Sequence, residues 1–223
     1  MSPTQQKFEF LMERAGEFLA REGFSRTGKH FRKLLSGGQV RWSIWPQKHR
    51  LSAADEISFT FEVAAEWKRR PLAWEDTPKA TWYPGVGTRI GRLMPKKEDT
   101  WWDINEGTSE EFLSDQFNSV LSKCVLPFLQ KLCTEQDIKD NLKAAANDEM
   151  RRNYHHTLTM LEFDLEEKKP AAEIEKRINR IRFLGKMHFM DKAIIEATIH
   201  RLLIAYGYTG PIPADKPWWR VWS

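Results

Sequence analysis

Three side chains on one alternating segment are of the types a metal-dependent nuclease uses. Glu62, Glu66 and Lys68 share a face of Ile57–Trp67, with Asp55 and Glu56 just upstream. Two carboxylates can hold a divalent cation while a lysine steadies the attacking water. Alternation predicts that the three lie within reach of one another. E-x-K at a strand end is a short and common pattern, however, and Asp55 precedes the same strand instead of ending another. The segment therefore also reads as an ordinary exposed strand face.

Other reactive combinations fail on spacing. In Gly85-Val86-Gly87-Thr88-Arg89-Ile90-Gly91, Ile90 stands where a dinucleotide loop needs its third glycine, and no parallel βαβ pattern surrounds it. Thr27-Gly28-Lys29 lacks the flanking residues of a phosphate-binding loop, so both stretches read as turns. His155, His156, Glu162 and Asp164 have the wrong helical angles for shared metal ligation and read as exposed helix residues. Cys124 and Cys133, nine apart, match no metal or redox spacing and read as buried thiols. The sequence assigns no catalytic residue, metal or cofactor.

Charge and indole rings stand out instead. The 223 residues carry a net charge of +4. Between positions 21 and 50, Arg21, Arg26, Lys29, Arg32, Lys33, Arg41, Lys48 and Arg50 face Glu22 alone. Such an excess favours an anionic partner, unless carboxylates from elsewhere in the fold neutralise it. There are 10 tryptophans. Strand parity sends Trp42 and Trp67 to the core and sets Trp45 beside Arg41 and Gln47 on the polar face. Aromatic and Arg anchors of this kind dominate binding surfaces. The candidate partner-binding set is Arg26, Arg32, Arg41, Trp45, Gln47, Trp82 and Arg89. The terminal Trp218-Trp219-Arg220-Val221-Trp222 is too apolar to be left in water.

These side chains need a scaffold, and periodicity supplies one. Ser2-Pro3-Thr4-Gln5 has the capping-box form, and Phe8, Leu11, Ala15, Phe18 and Leu19 follow at helical spacing up to Gly23. Strands are expected over 31–35, 39–47 and 57–67, with Gly37-Gly38 as a hairpin turn. A long loop is expected over 70–88, and short strands over 89–93 and 100–104. A second capping box, Thr108-Ser109-Glu110-Glu111, opens a helix that Pro127 should kink or break. Three further amphipathic helices follow, the middle one ending at Gly185. The fold expected is α+β: an antiparallel sheet of about five strands covered by N-terminal and central helices, then a C-terminal helical bundle. Its domains are residues 1–135 and residues 136–223 with the Trp-rich tail. No apolar run approaches the roughly 20 residues of a membrane span. The N-terminus lacks the pattern of a secretion signal, and two cysteines staple nothing, so a cytoplasmic location is expected.

The string Gly23-Phe24-Ser25-Arg26-Thr27-Gly28-Lys29-His30-Phe31-Arg32 resembles the opening motif, GF-x-(K/R)-x-G-x-x-F-x-R, of an uncharacterised bacterial family of domains of unknown function. Gln47, the ISFTFEV strand, Arg89-Ile90-Gly91, Trp101-Trp102 and the helix from about 109 continue the resemblance over roughly residues 5–135. It implies a helix-covered antiparallel sheet and no activity. By association, such domains look like immunity or antitoxin-type proteins of bacterial conflict systems. The expected function is thus non-enzymatic binding of an acidic protein, a toxin or defence component, through a basic Trp-bearing sheet face. A nucleic-acid-binding protein or metal-dependent nuclease using Glu62, Glu66 and Lys68 is the alternative.

Overall fold

The structure, a computed structural model, describes residues 1–35, 37–50, 52–53, 55–68, 83–145 and 154–214. They divide into two compact units, residues 1–68 and 83–140 in the first, residues 141–145 and 154–214 in the second. Expectations for Trp74, Trp82 and the terminal tryptophans fall outside the described residues.

The first unit opens with helix α1 (Pro3–Arg21). The Ser2 hydroxyl accepts the Gln5 N–H at 3.2 Å, and Pro3 takes the first turn, where its missing donor costs nothing. The stripe Phe8, Leu11, Met12, Ala15 and Leu19 is buried. Gly23, at φ +83°, ends the helix while the Phe24 N–H reaches back to the Leu19 carbonyl.

Six antiparallel strands follow: β1 (Ser25–Thr27), β2 (His30–Leu34), β3 (Val40–Lys48), β4 (Ile57–Trp67), β5 (Tyr83–Arg89) and β6 (Trp102–Ile104). They run in the order β1-β2-β3-β4-β5, with β6 also beside β4. Gly28 turns β1 into β2, and Gly37 and Gly38 turn β2 into β3, all three at positive φ. Inner positions of β3 and β4 are the alternating apolar ones: Val40, Trp42, Ile44, Phe59, Phe61, Val63 and Trp67 are buried. Phe61 packs 4.3 Å from Phe117, and Phe8 meets Phe59 edge-on at 5.2 Å. The helices on this inner face are α1 and α2 (Glu110–Val120).

Several expectations change here. The strand expected over 89–93 is a 3-10 turn at Ile90–Leu93, and the strand lies before it, inside the expected loop. Its glycines hid it. A Cβ on Gly85 would stand 2.7 Å from Ile138 and 2.8 Å from the Ala65 carbonyl, and one on Gly91 would strike the backbone at Thr100 and Glu98. These glycines admit close neighbours rather than turning the chain. The second cap also falls one residue later than the capping box predicts, with Ser109 accepting the Phe112 N–H at 3.3 Å. Pro127 does not break the helix. Its strain is relieved one turn earlier by a π-turn at Leu121–Val125, after which α3 runs over Leu126–Leu129; α4 (Glu135–Ala145) is a separate helix. Cys133 is exposed and Cys124 half-buried, so neither is the buried thiol expected.

In the second unit, α5 (Tyr154–Glu166), α6 (Ala171–Met187) and α7 (Lys192–Ala205) enclose a core of Leu158, Leu161, Ile174, Ile178, Ile181, Ile195, Ile199 and Leu202. Gly185 does not end α6, as its position suggests. It lies inside the helix against Ile195, which leaves no space for a Cβ. The architecture is α+β, as the periodicities require.

Candidate functional site

Parity places Arg32, Arg41, Trp45, Gln47 and Arg89 on the outer sheet face, opposite α1. Register brings Arg41 beside Glu66, Trp45 beside Glu62, and Arg89 beside Glu62 on the other side. Arg26 is not with them. It pairs with Phe31, an inner position, and its guanidinium lies 5.8 Å from that ring. Trp82 lies outside the described residues.

Much of the expected basicity of this face is neutralised. Arg41 binds Glu66 at 2.7 Å, and the Ser43 hydroxyl also donates to Glu66. Arg89 binds Glu62 at 3.2 Å and Asp99 at 2.5 Å. Burial alone would lower the Arg89 pKa, but these two carboxylates raise it above its ordinary value. Burial and then the Arg32 charge lower the pKa of His30, whose ring stacks on Trp45 at 6.1 Å. Gln47 is half-buried with its Oε1 out of reach of solvent. Carboxylates from β4 and from the segment after the Ile90–Leu93 turn have thus supplied what residues 21–50 lack.

The nuclease geometry is corrected on the same grounds. Glu62 and Glu66 do share a face with Lys68, but four residues along an extended strand separate them by about 13 Å. A shared ion needs its oxygens within roughly 2–2.6 Å. Each carboxylate instead grips an arginine. Among the described residues no cluster of histidine, cysteine or carboxylate side chains could hold a metal.

The charge left over gathers at the β1–β2 edge. Arg26, Lys29, Arg32 and Lys33 lie on β1, β2 and the turn between them, with Arg21 at the end of α1 just before. Lys29 pairs with Glu9 at 2.7 Å; burial pushes the Glu9 carboxyl up, but Lys29 and Gln5 outweigh it and hold its pKa below the ordinary value. Lys33 donates to the Glu22 main-chain carbonyl at 2.8 Å and lies over Trp42, with no carboxylate partner among the described residues. Arg21 and Arg26 are exposed, Arg32 half-buried. This edge strand is short, cationic and open, all features that also discourage uncontrolled strand pairing.

The second unit holds polar residues that helical angle alone misplaced. His156, Glu162 and Asp164 are buried, not exposed. Glu162 accepts from the Tyr206 hydroxyl at 2.9 Å, and Asp164 from Arg177 at 2.8 Å. Burial raises the Asp164 pKa more than Arg177 lowers it. Burial, then the Arg177 charge, lowers the His156 pKa to about 4 from 6.5. The unfolded chain takes up this proton first, so His156 contributes stability that is present above about pH 6.5 and lost as pH falls towards 4. The loss expected is about 3 kcal/mol. Urea midpoints at pH 7 and pH 4.5 should separate less for His156→Gln than for the unaltered chain; equal separations would refute this.

These features define an α+β domain with a helix-backed antiparallel sheet, which presents cations and aromatic rings rather than a reacting constellation among its described residues. The chain belongs to the family described as a domain of unknown function (DUF4304), whose model matches residues 15–131. The match spans the whole sheet and ends after α3. No curated protein and no solved structure matches the chain.

Proposed function

We propose that this protein is a non-enzymatic binder of an acidic protein, of the immunity or antitoxin type, acting in the cytoplasm of a bacterium as part of a conflict system. The observation that carries this reading is the β1–β2 edge, where Arg21, Arg26 and Arg32 make no ion pair among the described residues. Long-range attraction of that kind speeds association, and the neighbouring His30–Trp45 stack offers a flat aromatic surface beside it. The outer-face arginines Arg41 and Arg89 serve the fold through Glu66 and Glu62, so the binding set narrows to Arg26, Arg32 and Trp45.

The same cations could hold a nucleic acid, and one experiment separates the two readings. The protein is used as bait in an extract of its host at low salt, with and without nuclease treatment. It is incubated in parallel with DNA and RNA in the presence of Mg²⁺ or Mn²⁺. The expected result is an acidic protein retained after nuclease treatment, whose association slows at least about tenfold when Arg26→Glu and Arg32→Glu are combined. Retention that nuclease abolishes, or cleavage lost on Glu66→Ala, would replace this reading with the alternative.

A further inference from the structure

Two ammonium groups converge on one buried ring. Phe8, on the inner stripe of α1, is fully buried, and its ring centroid lies 4.7 Å from Lys29 Nζ and 4.6 Å from Lys48 Nζ. Lys29 arrives from the β1–β2 turn and Lys48 from the last position of β3. The two charges are therefore closer than the roughly 10 Å over which salt screens one exposed charge from another. They repel at that range, and the attraction of the ring for cations is divided between them.

The two lysines are not equivalent. Lys29 is half-buried and pairs with Glu9 at 2.7 Å. Lys48 is exposed, so a reagent can reach it, and it has no carboxylate partner among the described residues. Its one hydrogen bond goes to the neutral Gln5 Oε1 at 2.7 Å, and the Gln5 amide is itself fixed by donating to Glu9. Partial burial first, and the Lys29 charge second, lower the Lys48 pKa; Glu9, facing it from α1, opposes them and does not prevail. Withdrawing a lysine from solvent and setting it beside a second cation is the usual way of making its amine nucleophilic near neutral pH. A neutral amine can still donate one N–H to Gln5 Oε1 while its lone pair stays available.

We infer that Lys48 is a modification site, acylated directly by thioesters. The Lys48 amine adds to the thioester carbonyl, the C–N bond forms as the C–S bond breaks, and the proton lost from nitrogen leaves with the thiol. The product amide keeps one N–H for Gln5 Oε1 and carries no charge to oppose Lys29, so the fold accommodates it. Lys29 acts only through its charge on Lys48 and is a positioning residue. Lys48 is not among Arg26, Arg32 and Trp45, so the inference does not rest on the proposed partner.

The test is incubation of the full chain with acetyl coenzyme A near pH 7.5, without an acyltransferase, followed by mass spectrometry of each lysine-bearing peptide. Lys48 is expected to be acetylated at least about threefold faster than Lys96 and Lys123, two exposed lysines of the same unit, and its rate should level off at a lower pH than theirs. Lys29→Gln should bring Lys48 down to the rate of those two, whereas Lys29→Arg, which keeps the charge, should retain at least about half of the advantage. Neither substitution should change the rates of Lys96 and Lys123, which separates a lost neighbouring charge from lost folding. Acetylation of Lys48 no faster than of Lys96 and Lys123, a rate that Lys29→Gln leaves unchanged, or an equal loss with Lys29→Arg overturns the inference.

Discussion

Phe61→Ala is expected to lower the stability of the first unit by about 3–5 kcal/mol, the usual cost of emptying a buried phenylalanine site. Phe61 is fully buried on the inner face of β4. Its ring centroid lies 4.3 Å from that of Phe117 and 5.8 Å from that of Phe59, and Phe59 in turn meets Phe8. Removing the ring thus empties the point where α1, α2 and the central strand converge. Neighbouring aromatic rings are stiff and fill such a space poorly, which places the cost in the upper part of the range. Phe61→Leu should recover more than half of the loss. Urea unfolding followed by tryptophan fluorescence measures both variants. A loss below about 1 kcal/mol for Phe61→Ala would mean that the sheet and its helices do not share this core.

In the second unit the largest effect is expected from Glu196→Ala, at about 3 kcal/mol. Arg182, on α6, is 7 % exposed, and its guanidinium grips both oxygens of Glu196, on α7, at 2.7 Å. A third bond runs from Arg182 Nη1 to the Pro213 carbonyl at 2.6 Å, tying the chain after α7 to α6. Truncating Glu196 leaves a buried guanidinium without its counter-charge, which costs far more than the pair itself contributes. Replacing both partners, as in Arg182→Met with Glu196→Leu, should therefore cost less than Glu196→Ala alone. Thermal unfolding of the three chains decides this. If the double replacement is the worst of them, the pair stabilises the bundle beyond satisfying its own desolvation.

The burial of Phe61 and that of Arg182 have causes of different range along the chain. Phe61 stands in the clearest alternation of the chain, Ile57 to Trp67, where period two and β-branched or aromatic residues coincide, and its place in the core followed directly. Arg182 carried no such signal. A cation on an amphipathic helix is ordinarily solvated, and only the arrival of Glu196 from α7 makes burial tolerable. The burial of His156, Glu162 and Asp164 is hidden from the sequence for the same reason.

The glycines divide similarly. Gly23, Gly28, Gly37, Gly38 and Gly207 turn the chain by adopting positive φ, a local property that the sequence announces. Gly85, Gly91 and Gly185 instead make room for Ile138, the Thr100 backbone and Ile195. Nothing local marks that role, which is why the strand at β5 and the continuation of α6 past Gly185 are not legible in the sequence. Phe189, at φ +54°, completes the contrast, standing in a glycine position without the residue that would reveal it.

Taken alone, the sequence determined the α+β class, the inner face of the sheet, the two capped helices of the first unit and the helical bundle of the second, because periodicity and capping act over a few residues. The pairing of charges was decided by the tertiary structure. The carboxylates that neutralise Arg41 and Arg89 lie 25, 27 and 10 positions away along the chain, and only strand register and the loop after β5 bring them near. Counting charge along the sequence therefore located an excess of cations, and folding moved what remained of it from the sheet face to the β1–β2 edge.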